Sequence, residues 1–208
     1  MRHRGRLELL IGNMFSNKTG KTILDVETLR DFGEMHVVVF KPKTDNRSGR
    51  GWIRSRHNKK LRAFEVPPER PQEVFEILRR QEKRIGRRAD CLVFDEIQFF
   101  SLKSKFFWVV NDLLNDGYDI IAAGLPLDFR GEPFGSTLAL TWFANINCVW
   151  LLSAHCAKCR KAGALFAQRT IGGKPAPYRS RQVMVGDKEL YYPACHEHFV
   201  IPGRPSLR

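Results

Sequence analysis

Short apolar runs, set apart by longer stretches of mixed character, give this chain its frame. Leu7–Ile11 is mostly apolar, broken only by Glu8, and opens into a turn at Gly12. Val37–Phe40, Leu92–Asp95, Asp119–Gly124 and Val149–Leu152 follow at intervals. Runs of this length, rich in Val, Ile and Leu, predict strands buried on both faces. Between them, Lys18 to Phe32 has helical character, with Ile23, Val26 and Leu29 at roughly helical spacing and Gly33 as a stop. Pro67–Gly86 opens on prolines and becomes a charged helix, Lys103–Asn115 fits an amphipathic helix ended by Gly117, and Leu138–Ala144 looks helical. Leu61–Val66 reads as a further strand, and the polar, Gly-, Ser- and Arg-rich Lys41–Lys60 as a loop. Strands alternating with helices predict an α/β fold with a mainly parallel sheet covered on both faces.

From Ala154 onward the pattern changes. Cysteines, glycines and prolines appear, with short strand candidates at Ala164–Arg169 and Val183–Val185 and Val149–Leu152 as the last buried strand of the sheet. A boundary near Ser153 is expected, dividing residues 1–152 from a small appendage, 153–208. The 208 residues suffice for one full core plus such an appendage. No apolar run is long enough to span a bilayer, and the one after the basic N-terminus is too short for a secretory signal. A cytosolic protein without membrane association is expected. The net charge of +13 has two readings: attraction of polyanions, or a solvated basic surface. Clusters at Arg47–Arg62 and Arg79–Arg88 lack interleaved aromatics that stack bases, which favours the second and argues against nucleic acid as a partner.

The densest chemistry lies in Phe94-Asp95-Glu96-Ile97-Gln98-Phe99-Phe100, where a buried strand delivers two carboxylates to its carboxyl end. Open α/β sheets place ligands there. An Asp in that position suits magnesium, and a Glu suits proton abstraction from an attacking hydroxyl. Adjacent strand residues point to opposite faces, so both serve one site only if the backbone turns at the strand end. Otherwise they are solvated charges.

Upstream, Gly12-Asn13-Met14-Phe15-Ser16-Asn17-Lys18-Thr19 resembles a phosphate-binding loop between a strand and a helix. Such a loop needs converging backbone N–H groups, a Lys for phosphate oxygens and a hydroxyl for magnesium. Asn17 stands where the second glycine belongs. Asn tolerates a left-handed backbone, so the loop is compatible with it, although its side chain can crowd the phosphates. A shifted frame at Gly20-Lys21-Thr22 would put Phe15 at the first glycine, so Lys18 and Thr19 are preferred.

Five cysteines without a secretory signal argue against a disulfide framework. Cys91 and Cys148 lie in apolar runs and read as inert core residues. Cys156-Ala157-Lys158-Cys159 and Cys195-His196-Glu197-His198 give C-x-x-C and C-x-x-H half-sites. Cys156, Cys159, Cys195 and His198 would close a structural zinc site, free thiols or a redox pair being the alternative.

With these elements in view, the chain resembles the cellular-type (type II) thymidine kinases from about Leu7 to about Phe199. The carrying residues are Gly12–Thr19, Lys41–Arg47, Phe94–Phe100, Gly124–Gly135 and the cysteine cluster, with Asp128-Phe129-Arg130-Gly131-Glu132-Pro133-Phe134-Gly135 the most specific string. The resemblance implies a RecA-like P-loop domain followed by a small zinc domain, whose lasso loop closes over thymidine. It implies transfer of the γ-phosphoryl of ATP to the thymidine 5′-hydroxyl with magnesium. Glu96 then matches the general base and Asp95 the magnesium-holding carboxylate. Gly12, Asn13, Met14, Phe15, Ser16, Asn17, Lys18 and Thr19 match the phosphate loop, Arg47 and Asp45 lie near the phosphates, and Gln98 belongs to the same set. Phe99, Phe129, Phe134 and Tyr191 match aromatics around the base, Met14 and Leu125 its apolar floor. Val183, Met184, Val185 and Gly186, up to Asp187, match the lasso backbone. A homotetramer inhibited by dTTP is implied as well. Besides Asn17, Pro126 stands where many members have an aspartate, and Ala167 where a Thr commonly approaches the base pocket. A homologue that binds thymidine or dTTP with little turnover is the competing expectation.

Overall fold

Six of the apolar runs assemble side by side. The computed structural model describes residues 3–144 and 148–206. The central sheet is built from β1 (Leu7–Gly12), β2 (Val37–Pro42), β5 (Phe64–Val66), β6 (Cys91–Phe94), β7 (Asp119–Gly124) and β8 (Val149–Leu152). Their order is β5-β2-β6-β7-β1-β8, and every pairing is parallel. Alternation inside the continuous apolar runs sorts side chains to two faces. Leu7, Leu9 and Ile11 join Phe40, Leu92 and Phe94 on one face, under α2 (Glu73–Ile85) and α3 (Phe106–Asn115). Leu10 joins Val37, Val39, Val93 and Ala123 on the other, under Ile23 and Val26 of α1 (Lys18–Asp31). This is the α/β, mainly parallel architecture expected from the sequence.

Five local expectations are corrected. The segment read as a loop carries a hairpin, β3 (Trp52–Arg54) and β4 (Lys60–Arg62), so the strand read at Leu61–Val66 is two strands. Ile53, 1 % exposed, anchors the hairpin on the core, a burial that contributes ~1.5–3 kcal/mol. Buried Lys41 donates to the carbonyls of Gly49 at 3.1 Å and Trp52 at 3.0 Å, securing its base. β8 is not buried: among the described residues it is a sheet edge paired only with β1, and Leu151 is 78 % exposed. The helix read at Leu138–Ala144 is a short 3-10 turn, Ala139–Trp142, with only Leu140 buried. Val183–Val185 forms no strand.

The C-terminal region is a three-stranded antiparallel sheet, β10-β9-β11, from β9 (Phe166–Ile171), β10 (Lys174–Pro175) and β11 (Tyr191–Ala194). β11 escapes sequence reading because Pro193 interrupts it. As an edge strand it tolerates a proline. Residues 181–187, which include the expected lasso backbone Val183–Asp187, lie between β10 and β11 and are held by side chains rather than by a ladder. Tyr191 Oη donates to the Met184 carbonyl at 2.7 Å, and Gln182 Nε2 to Asp128 Oδ2 at 2.8 Å.

Candidate active site

The chain leaves β1 at Gly12, where a Cβ would lie 2.3 Å from the Leu152 carbonyl oxygen, so β8 packs too closely for any side chain. The loop then runs into α1. Asn17 sits at φ 63°, ψ 27°, the left-handed conformation that the missing glycine would adopt. Phe15 is also left-handed, at φ 73°. Lys18 Nζ donates to the Asn13 carbonyl at 2.8 Å, and Ser16 Oγ to the same oxygen at 2.9 Å, closing the loop on itself. The Asn13 side chain faces away from the cavity and donates to the Phe166 carbonyl of β9 at 3.2 Å.

At the end of β6 the backbone turns as the paired-carboxylate reading requires. Glu96 adopts φ 54°, ψ 40°, which breaks strand alternation and brings both carboxylates to one side. Asp95 Oδ1 accepts the Glu96 N–H at 3.0 Å, and Asp95 Oδ2 accepts Thr19 Oγ1 at 3.2 Å. Arg47 spans two acids: Nε donates to Asp45 Oδ1 at 2.7 Å, and Nη2 meets Glu96 Oε1 at 2.5 Å. Gln98 donates to Glu96 Oε2 and accepts the Leu125 N–H at 3.0 Å, fixing the carboxylate from the other side.

The surroundings drive the two carboxylates apart. Burial, then the charges of Glu96 and Asp45, push Asp95 above the usual carboxylate range. Burial also acts to raise Glu96, but Arg47 and Lys18 outweigh it and hold its carboxyl low. Burial lowers Lys18 to about 8, with Glu96 and Asp95 opposing. Neighbouring titratable groups separated in this way are a signature of assigned acid–base roles.

Two cavities meet here. A polar one of about 450 Å3 is lined by Phe15, Asn17, Lys18, Thr19, Asp45 and Asp95, and by Arg54, Ser55, Arg56 and Asn58 of the hairpin. An apolar cleft of about 40 Å3 is lined by Phe99, Phe129, Phe134, Val183, Met184, Val185 and Tyr191, with Gln98. Met14, Arg47, Glu96, Leu125 and Gly186 border both. The expected phosphate-loop residues Met14, Phe15 and Asn17–Thr19 therefore reach the polar cavity, whereas Gly12, Asn13 and Ser16 act behind it. All ten residues expected around the base line the cleft. The hairpin lining was missed, as were Leu127, Asp128 and Gln182 in the cleft. Ala167 lines the cleft too.

On either side of the C-terminal sheet in sequence, one donor atom each from Cys156, Cys159, Cys195 and His198 lies within 4.8 Å of all the others. Cys159 and Cys195 sulfurs are 3.9 Å apart, and Cys195 Sγ is 3.2 Å from His198 Nδ1. Tetrahedral zinc with ~2.3 Å Zn–S bonds places donors roughly 3.8 Å apart, so the group fits that ion. Burial opposes ionisation of Cys156, but backbone N–H groups of Cys159, Cys195 and Lys158 outweigh it and favour the thiolate. Thr19 Oγ1 and Asp95 Oδ2, both oxygen donors beside the phosphate loop, fit magnesium. Among the described residues, no helix is long and apolar enough to cross a membrane.

Known proteins converge on the same picture. A family model described as thymidine kinase matches residues 5–199. A thymidine kinase of Pyrobaculum aerophilum is 39 % identical over 196 residues, covering 94 % of this chain and 99 % of that protein. The thymidine kinase of Thermococcus kodakarensis is 35 % identical over 198 residues, 95 % of each chain. That of Mycoplasmoides gallisepticum is 32 % identical over 201 residues, 97 % of this chain and 84 % of its own. Sharing 94–97 % of its length with these enzymes, and residues 5–199 with the family model, the chain belongs to the thymidine kinase family.

Proposed function

We propose that this protein is an ATP-dependent thymidine kinase that transfers the γ-phosphoryl group to the thymidine 5′-hydroxyl, giving dTMP for nucleotide salvage. One observation carries the reading: Glu96 stands where a polar, cation-lined cavity meets an aromatic cleft. A nucleoside in the cleft presents its hydroxyl to Glu96, and a polyphosphate in the cavity presents its terminal phosphorus to that hydroxyl. Phosphoryl transfer asks little of the protein beyond positioning and charge, which this junction supplies.

In this reading Glu96 accepts the hydroxyl proton as the oxygen attacks. Arg47 holds Glu96 ionised in the resting site. As Arg47 turns toward the phosphoryl being transferred, Glu96 loses its strongest partner and gains basicity. Lys18 and the loop N–H groups hold the β- and γ-phosphates. Thr19 and Asp95 would hold magnesium, which neutralises charge building on the phosphates; a cation there also offsets the burial of Asp95. Phe99, Phe129, Phe134 and Tyr191 enclose the base, and the backbone from Val183 to Gly186 reads its edge. Cys156, Cys159, Cys195 and His198 would hold structural zinc in an appendage beginning near Ser153. The cleft has room for only a few waters, so the lasso opens to admit thymidine and closes for reaction, excluding water. A homotetrameric assembly, inhibition by dTTP and a cytoplasmic location belong to the same proposal and rest on family membership.

The test is ADP release from magnesium-ATP with and without thymidine. Release should depend on thymidine, and Glu96→Gln should lower kcat at least a hundredfold with thymidine binding retained. Unchanged turnover in that variant would remove Glu96 from the base role.

A further inference from the structure

The basic cluster Arg47–Arg62 includes Arg56, whose chemistry is still unassigned. Arg56 sits at the tip of the β3–β4 hairpin and lines the polar cavity. Its guanidinium lies 3.8 Å from the centre of the Phe15 ring in the phosphate loop. Its Nη2 pairs with Asp187 Oδ1 of the lasso at 2.5 Å. A single side chain therefore touches the hairpin, the phosphate loop and the lasso.

Of the other cations lining the cavity, Arg47 is paired with Asp45 and Glu96 and Lys18 with the Asn13 carbonyl in the resting site, and neither Arg54 nor Lys188 bridges the phosphate loop and the lasso among the described residues. Arg56 engages only Nη2, so Nε and Nη1 have no partner among the described residues. Its pair with Asp187 is half-exposed, 32 % and 49 %, which leaves the rest of the guanidinium accessible from the cavity. The hairpin beneath it is anchored: Ser55 N–H donates to the Lys59 carbonyl at 2.9 Å, and Ile53 is buried. Arg56 thus offers an open guanidinium edge from a rigid support, stacked on the loop that cradles phosphates. Its positive charge also contributes to the lowering of Lys18, so the two cations share one electrostatic site.

We propose that Arg56 binds the polyphosphate of the donor nucleotide through its open edge while keeping Asp187, so that donor binding and lasso closure over the nucleoside are coupled through one guanidinium. Asp187 directly follows Gly186, which borders the cleft. Ordering Arg56 on phosphate fixes Asp187 and hence the lasso backbone. By linkage, each substrate then tightens the other by the same factor. Arg suits the task because its planar fork serves two anions at once, which a lysine ammonium does less well. The proposal rests on the kinase reading for the identity of the two ligands.

The experiment is calorimetric titration of the intact protein with magnesium and a non-hydrolysable ATP analogue, with thymidine absent or saturating, alongside steady-state kinetics. In the native protein, thymidine should tighten the analogue at least fivefold, the lower end of ordinary coupling. Arg56→Gln should weaken the analogue about tenfold or more and abolish coupling. Asp187→Asn should leave the analogue within about twofold in the absence of thymidine and still abolish coupling. Arg56→Lys should restore part of the affinity without the coupling. Unchanged analogue affinity in Arg56→Gln, or full coupling in Asp187→Asn, would overturn the proposal. If the native protein binds both ligands but releases no ADP, the kinase reading fails, and the titrations still decide Arg56.

Discussion

Asn17 and Gly20 form a matched pair one helical turn apart. A Cβ built on Gly20 would lie 2.1 Å from Asn17 Oδ1 and 2.9 Å from Nδ2. The amide that stands in for the loop glycine's hydrogen therefore rests on a second glycine, and this holds it against α1 rather than over the phosphates. Gly20→Ala should push the amide toward the cavity that Asn17 lines and raise the KM for ATP roughly tenfold. Helix propensity favours alanine by up to about 1 kcal/mol, so the melting temperature should hold or rise. Adding Asn17→Gly should restore the KM within about twofold, a non-additive pair. Additive losses would show that the two positions act separately. Only half of this pairing is legible in the sequence. The left-handed tolerance of asparagine follows from its chemistry, whereas its resting place over Gly20 requires side-chain coordinates. Glu96 teaches the same lesson: the need for a turn after Asp95 follows from strand alternation, and the φ of 54° that meets it shows only in three dimensions.

Elements were legible in proportion to how much each buries by itself. β2, β6 and β7 are continuous apolar runs because both faces are covered, and their positions follow from the pattern alone. The β3–β4 hairpin buries essentially Ile53, so its signal drowns among charged neighbours. Residues 181–187 have no periodic signal at all, since the side chains of Arg169, Asp128 and Tyr191 hold this segment instead of a strand partner. Arg169 of β9 is chief among them: wholly buried, it donates to the carbonyls of Arg181 at 2.5 Å and Gln182 at 3.4 Å and lies 3.6 Å from the Phe129 ring centre. Its Nε and Nη2 have no partner among the described residues. A buried cation so incompletely paired costs stability, while the bonds it makes shape the cleft. Arg169→Met should therefore hold or raise the melting temperature yet raise the KM for thymidine about tenfold, leaving the KM for ATP within about twofold. A large loss of stability with unchanged KM values would make Arg169 a packing residue instead.

For the whole molecule, the division of labour runs between the parallel sheet, which carries Glu96 and the phosphate loop, and the C-terminal sheet, which carries the lasso. The second is small. Its buried apolar residues near the cysteine group are Ala154 and Ala164, with Cys156. So thin a core needs a staple, and the proposed zinc ligands would join residues 156–159 to 195–198, enclosing all of β9 to β11. Structural zinc supplies on the order of 10 kcal/mol in small domains, more than this core can replace. The parallel sheet holds the larger clusters on both its faces and has no such dependence. Chelation of the purified protein, or Cys195→Ala, should therefore release about one zinc per chain or fail to load it. Thymidine should then no longer raise the melting temperature, and limited proteolysis should cut within 153–206. The magnesium-bound ATP analogue should still protect the parallel sheet, because Lys18 and Thr19 open α1, which packs on it, and Asp95 directly follows β6. Metal-free protein that keeps its thymidine response and resists proteolysis would show that the cysteine group is dispensable. Collapse of both binding sites together would show that the two sheets fold as one unit and that no boundary near Ser153 separates them.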